Sequence, residues 1–480
     1  MSFLFHDYET FGADPKRDRP SQFAALRTDD SFRIIGDPIS IFLKPDRDIL
    51  PDPVACLITG ITPQQADRDG LDEPHFFAEI HEQMSVPKTC SLGFNSIRFD
   101  DEFTRFGFWR NFFDPYAREW QGGNTRFDLI DVARMCYALR PQGIEWPEHE
   151  AGKPSFRLEH LAAANGLTHS HAHEALSDVE ATIGLARLIK QHQPKLFEFL
   201  FGLRDKRRAG SLLDWVKREP VLHSSSRFPA ERGATSIILP LAQHPVQSNG
   251  VIVFDLMTDP EDLLVLSAEA IRDRVFIERS ALPEGVERIP LKLVHLNKAP
   301  ALAPMSVLAG VDCGRIGLDV ARCEHHALRL KESGPELAEK MRRVFAQESA
   351  FPTQDAEQAL YAGLIPARDQ ALLPQVRRSG PETWAGLQNQ FSDPRLAELL
   401  FRHRARHAPH LLNTAEQTRW LAWRRSMLID GGDHPERTIA GRLEQIALHR
   451  QRTDLPNGGQ VILDALEQWI RRVAEDFPAS

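Results

Sequence analysis

Apolar and aromatic positions dominate residues 3–9, Phe3-Leu4-Phe5-His6-Asp7-Tyr8-Glu9, and predict a β-strand. Further strands are expected at 34–43 and 91–95, and helices at 101–108, 129–138, 157–165 and 176–192. Such alternation of strands and helices predicts an α/β layer domain. Pro194 reads as the end of the last helix, and the basic run Arg204, Lys206, Arg207, Arg208 as a connector. From about 221 to 302 the pattern shifts to short β runs, 236–241, 250–256, 274–277 and 289–296, parted by Pro, Gly and Asn turns. That spacing predicts a small barrel or sandwich. From about 335 onward helical periodicity prevails, with segments expected at 337–345, 395–402, 415–428, 439–448 and 461–473. No internal repeat or low-complexity tract interrupts this order.

A chain of 480 residues exceeds what one core organises, so two to four domains are expected. Its 42% hydrophobic and 26% charged content is ordinary for a water-soluble globular protein. No stretch is long and apolar enough to span a membrane, and the first residues lack a basic start and small-residue cleavage site. The five cysteines are scattered without a CxxC pair, which suits buried thiols better than disulfides or zinc. A cytoplasmic protein is expected. Net charge of −9 excludes a basic coat but leaves room for a local positive path, which phosphate binding requires. Arg402, Arg404 and Arg406 form another basic run, which matters only if it lines a groove.

Asp7 and Glu9 stand two apart in the first strand and therefore share a face. A solvated edge strand could carry such a pair; a hard divalent metal would explain it better. After the third strand comes Asn95-Ser96-Ile97-Arg98-Phe99-Asp100-Asp101, leading into a helix. Asp101 is expected to cap that helix or face solvent, leaving Asp100 to turn toward a metal. A third element, His173-Glu174-Ala175-Leu176-Ser177-Asp178, places Asp178 on the same turn as core positions, where an unpaired acid would be costly. His173 lies near the helix entrance. Magnesium and manganese prefer oxygen ligands, so His173 suits a general base better than a ligand. His169 and His171 suit a polar loop, and zinc is not expected there.

The order and wide spacing of these three elements resemble the DEDDh exonuclease family, whose D-x-E, N-x-x-x-F-D and H-x-x-x-x-D motifs they match. Further strings, Phe5 through Gly12, Asp18 through Ala24, Leu57 through Pro63 and Pro154 through Leu161, are similar to the bacterial exodeoxyribonuclease I family. Beyond the first third, the resemblance rests on domain order, size and local strings such as Lys292-Leu293-Val294-His295-Leu296-Asn297-Lys298. It implies an RNase H-like exonuclease domain over 1–193, an SH3-like β domain over 194–348 and an all-helical domain over 349–480. Asp7, Glu9, Asp100 and Asp178 would hold two Mg2+ ions, with Mn2+ as a substitute, about 4 Å apart around one phosphodiester. His173 would take the proton of the attacking water. The family's direction then implies 3'-to-5' degradation of single-stranded DNA, releasing nucleoside 5'-monophosphates, in DNA repair and recombination. Enclosure by three domains would make the degradation processive.

Strand handling needs stacking surfaces and phosphate clamps. The resemblance places single-stranded DNA contacts at Glu9, Arg105, Tyr116, Trp120, Arg134 and Arg157. Trp109, Phe112 and Phe113 are expected in the core, and Arg157 could instead cap its helix or pair with an acid. The family also binds the acidic, phenylalanine-ended tail of single-stranded DNA-binding protein, for which Arg140 and the segment around Phe199 are candidates. No membrane partner is expected, and a monomer is. Rival readings are a DEDDh ribonuclease or proofreading subunit, a silent nucleic-acid-binding module, and a metal-dependent nucleotide phosphatase. The first usually lacks two further domains of this size, the second would need a broken acidic set, and the third needs no strand channel.

Overall fold

The computed structural model describes residues 1–150, 152–167, 174–277, 281–346 and 355–477. The first domain is built on a five-stranded sheet in the order β3-β2-β1-β4-β5. Its strands are β1 Ser2–Thr10, β2 Pro20–Thr28, β3 Ile39–Phe42, β4 Thr89–Gly93 and β5 Thr125–Asp128. β1 runs antiparallel to β2 and parallel to β4, so it is central and needs cover on both faces. Phe3 and Phe5 on one face pack with the helices Ile130–Leu139 and Ala175–His192. Leu4 and Tyr8 on the other pack with Glu73–Met84 and Asp100–Arg110. By the same alternation Asp7 and Glu9 continue the Phe3, Phe5 row toward the helix Ala175–His192.

Several local expectations are corrected. Only Ile39–Phe42 of 34–43 is a strand, since Asp37-Pro38 breaks the run. The helix Ala175–His192 does end just before Pro194, but that proline also opens a new helix, Pro194–Gly202, at a position where its missing N–H costs nothing. Phe197, Leu200 and Phe201 of that helix enter the first domain's core. The basic connector is itself helical over Lys206–Leu212, capped by Asp205. Residues 274–277 are no strand but the end of the helix Ala268–Phe276, whose Ser267 cap accepts from Ala270 N–H.

A short hairpin of β6 Glu148–Glu150 and β7 Lys153–Pro154 edges the first domain. The second domain holds β8 Val221–Ser224, β9 Thr235–Gln243, β10 Gly250–Asp255, β11 Leu291–His295 and β12 Leu302–Pro304. They form one antiparallel sheet in the order β11-β10-β9-β8-β12. The third domain is helical and docks on the first through two apolar clusters. Phe106, Trp109 and Phe112 meet Leu396, Leu399 and Leu400; Phe11, Leu57 and Ile61 meet Leu463, Leu466 and Ile470. Trp109, Phe112 and Phe113 are buried, as expected.

Between the clusters lies a buried charge network. Each oxygen of the Glu357 carboxylate accepts from a different domain: Arg19 of the first at 2.6 Å and Arg406 of the third at 2.5 Å. Arg406 also pairs with Asp48, and Arg19 with Glu73. Removing one member strands its partners without water. Glu357→Ala should therefore destabilise the folded chain by about 3–5 kcal/mol, read from urea unfolding. A loss below about 0.5 kcal/mol would mean the network relaxes without cost.

Candidate active site

Asp7, Glu9 and Asp178 converge, each offering an oxygen within 4.8 Å of the others. Strand geometry aims the first two at the helix Ala175–His192, and Asp178 sits in that helix's first turn. Asp100 arrives by a different route. Gly93 ends β4 against the carbonyl of His6, where an added Cβ would stand 2.9 Å from that oxygen and 2.6 Å from Ser96 Cβ. Asn95 then takes a left-handed conformation at φ 65°, which asparagine tolerates, and a 3₁₀ turn leads into the helix Asp100–Arg110. Asp100 Oδ1 accepts from Tyr8 N–H at 3.0 Å, which fixes it beside the strand acids.

The electrostatics follow from crowding. Burial raises the Asp7 carboxyl well above its ordinary range, and the charges of Asp100, Glu9 and Asp178 add to it. Burial and the charges of Asp178 and Asp100 push Glu9 up to about 8. Asp100 is also raised, mainly by burial. Such oxygens, gathered and poorly hydrated, suit a hard divalent cation that would offset their repulsion. The residues fit the group.

Without a cation the same crowding costs stability. The unfolded chain ionises Glu9 near 4.5, the folded chain only near 8. Stability is thus lost as pH rises between those values. Glu9→Gln should raise the melting temperature of chelator-treated protein at pH 8 and leave it unchanged at pH 4, where both side chains are neutral. No gain at pH 8 would show that the acids are relieved some other way.

His173, with His169 and His171, lies outside the described residues. Asp101 is the clearest correction. It neither caps the helix nor faces solvent: it is 1% exposed and bound by Arg118 at 2.5 Å and Arg126 at 2.7 Å. Those guanidiniums hold its carboxyl far below the usual range despite burial. Phe99 occupies the cap position, with no side-chain cap bond.

The expected strand contacts are placed unevenly. Trp120 is 66% exposed, and Tyr116 is half-buried with the Arg105 guanidinium 5.3 Å from its ring centre. Arg105 itself is buried and bound to Glu102, Glu119 and Tyr361. Arg134 is buried, donates to Asp131 at 2.6 Å and lies 5.8 Å from the Phe156 ring. Arg157 is exposed at the start of the helix Leu158–Ala164; it makes no cap bond and stands 3.8 Å from Glu159. Arg140 donates to the carbonyls of Leu139 and, across the domain boundary, Val307. Phe199 is partly buried on the shared core.

Sequence reasoning missed a cavity of about 530 Å³ between the first two domains, lined by Arg98, Asp131, Arg227, Lys292 and Lys298 among others. His223 Nδ1–H donates to the Ala301 carbonyl, leaving Nε2 to accept from Lys292 Nζ at 2.6 Å. Burial, followed by Arg98, Arg227 and Arg134 against the opposing pull of Asp131, lowers Lys292 to about 7. The lysines at 292 and 298 were visible as part of a string; that Arg98 faces them across a boundary was not.

Three family models cover most of the chain: Exonuclease over 4–186, Exonuclease I SH3-like domain over 204–347 and Exonuclease I C-terminal domain over 354–473. The chain is 47% identical over 427 residues to exodeoxyribonuclease I of Escherichia coli (strain K12), covering 89% of this chain and 90% of that one. A crystal structure of E. coli exonuclease I in complex with a dA16 oligonucleotide superposes with a TM-score of 0.93 at 44% identity, covering 98% of this chain and 99% of that one. The zinc-ion-bound form of the E. coli complex with single-stranded DNA gives 0.92 at 44% identity, with the same shares of each chain. With an exonuclease, an SH3-like and a C-terminal domain matched in that order, and 47% identity over 89% of its length, the chain belongs to the exodeoxyribonuclease I family.

Proposed function

We propose that this metal-dependent exonuclease degrades single-stranded DNA processively from the 3' end, releasing nucleoside 5'-monophosphates. The convergence of Asp7, Glu9 and Asp178 carries this reading. With Asp100 these acids would hold Mg2+, or Mn2+ in its place, as a pair of ions. Bound there, the ions supply Lewis acidity toward the scissile phosphodiester and lower the pKa of water. The protein's part is to orient and to move a proton. Tyr8 N–H orients Asp100, and His173, five residues before Asp178 in sequence, accepts the water proton.

Strand binding falls to Trp120 and Tyr116 as stacking surfaces, and to Arg134 and Arg157 with Lys292 and Lys298 as phosphate contacts. Arg105, saturated by two acids, supports Tyr116 and meets the strand through that ring or by exchanging partners. The cationic cavity between domains supplies the local positive path that a net charge of −9 requires. Tyr361, from the start of the helical domain, reaches back to Glu102, so all three domains border the path. Enclosure of that kind favours sliding over escape. The acidic tail of single-stranded DNA-binding protein would dock near Arg140 and Phe199, and the enzyme acts as a monomer in DNA repair and recombination.

One experiment tests the core of this reading. Matched 5'-labelled single-stranded DNA, duplex DNA and RNA are incubated with enzyme and Mg2+, with excess unlabelled single strand added as a trap after binding. Long runs on single-stranded DNA alone are expected. Equal turnover of duplex or RNA would overturn the substrate class, and single-nucleotide steps after trapping would overturn processivity.

A further inference from the structure

β5 holds both ends of the segment that delivers Asp100. Arg126 and Asp128 are two apart in this strand and share a face. Asp128 accepts from Asn95 N–H at 2.8 Å and Ile97 N–H at 3.1 Å, fixing the start of the turn. Arg126 donates to Asp101 Oδ2 at 2.7 Å, fixing its end one residue past Asp100. The other oxygen of Asp101 is taken by Arg118, and Arg126 stands 3.2 Å from Glu119. A further Arg126 nitrogen donates to the carbonyl of Asn297 at 3.2 Å, in the second domain and next to Lys298. Arg126 is only 5% exposed, so its charge is committed to these partners.

We infer that Arg126 is a positioning residue for the acidic site: it sets Asp100 by pinning Asp101, and through Asn297 it ties that setting to the seat of the second domain. The chain of contacts is short. Releasing Arg126 frees the first turn of the helix Asp100–Arg110 to shift, while Asp101 keeps Arg118 as counter-charge and the fold is retained. Asp100 then meets a cation less squarely. Groups that orient metal ligands from behind typically change metal affinity or activity by about ten- to a hundredfold.

The inference rests on Asp100 being a metal-site acid, and the test separates the two. Mn2+ binding to the DNA-free protein is measured by calorimetry, alongside kcat, KM and melting temperature, for wild type, Arg126→Gln, Arg126→Lys and Asp100→Ala. Arg126→Gln should weaken Mn2+ and lower kcat, each by about ten- to a hundredfold, with KM for single-stranded DNA little changed. Its melting temperature should fall, because a buried ion pair loses a member, so both quantities are read well below it. Arg126→Lys, which keeps a charge on Asp101, should recover most of both. Wild-type Mn2+ affinity and kcat in Arg126→Gln, or no recovery in Arg126→Lys, would overturn the positioning role. If the Gln variant does not fold, Asp101→Asn carries the same expectation and the same refutation. Asp100→Ala that still binds Mn2+ and cleaves normally would instead overturn the four-acid reading beneath it.

Discussion

Asp7→Ala and Asp178→Ala proteins are expected to lose at least about a thousandfold in cleavage rate while still binding single-stranded DNA. Both oxygens belong to the group that closes to within 4.8 Å, so removing either leaves a cation with too few ligands. Lewis-acid stabilisation of several kcal/mol is lost with it, and each ~1.4 kcal/mol is a tenfold change in rate. Affinity for the strand should persist, because stacking and phosphate contacts supply it. Ca2+ should support binding with little turnover, since its looser coordination misplaces the reacting groups. Quenched-flow cleavage of a labelled oligonucleotide, paired with a filter-binding isotherm, reads both quantities. An Asp7→Ala enzyme with a near-normal rate in Mg2+ would refute the acidic assignment.

His173→Ala should lower kcat by about a hundred- to ten-thousandfold at saturating DNA. A base must be neutral to accept a proton, so the wild-type rate should rise with pH through the histidine pKa and level off above it. The variant should be slow and lack that rise. His169→Ala and His171→Ala provide the contrast, and should leave rate and profile unchanged. If either reproduces the loss and His173→Ala does not, the base has been misassigned.

Legibility of the fold followed the strength of local signals. β1 was readable because Phe3, Leu4, Phe5 and Tyr8 crowd one short segment. β2, Pro20–Thr28, was missed: it is buried almost throughout, and a strand covered on both faces shows no alternation to find. Three early helices were missed although their caps were present. Asp52, Thr62 and Asp72 each accept a backbone N–H at the cap, with a proline at the first or second helical position. Cap plus proline is a start signal that sequence alone offers. β5 has four residues, too few for a period, yet Arg126 and Asp128 act from it.

The acids of the site were legible because their chemistry leaves few alternatives. Paired carboxylates on one strand face, and an acid among core positions of a helix, are costly unless something neutralises them. That cost is written in residue type and spacing, so the amino-acid sequence by itself pointed to acids that the fold gathers, and the resemblance of its motifs gave the family and the domain order. Which cations neutralise which acids is a matter of distance across the fold. Asp101 and Asp100 are neighbours in sequence and both buried; one is bound by Arg118 and Arg126, the other is turned toward Asp7. Arg105 and Arg134, expected to contact DNA, and Arg140, expected to meet a partner's tail, are engaged to different degrees with acids or carbonyls. The cavity that gathers Arg98, Lys292 and Lys298 exists only where two domains meet. Electrostatic partnership decays over a few ångströms, and residues far apart in sequence acquire such distances only on folding, which is why tertiary structure alone decided them.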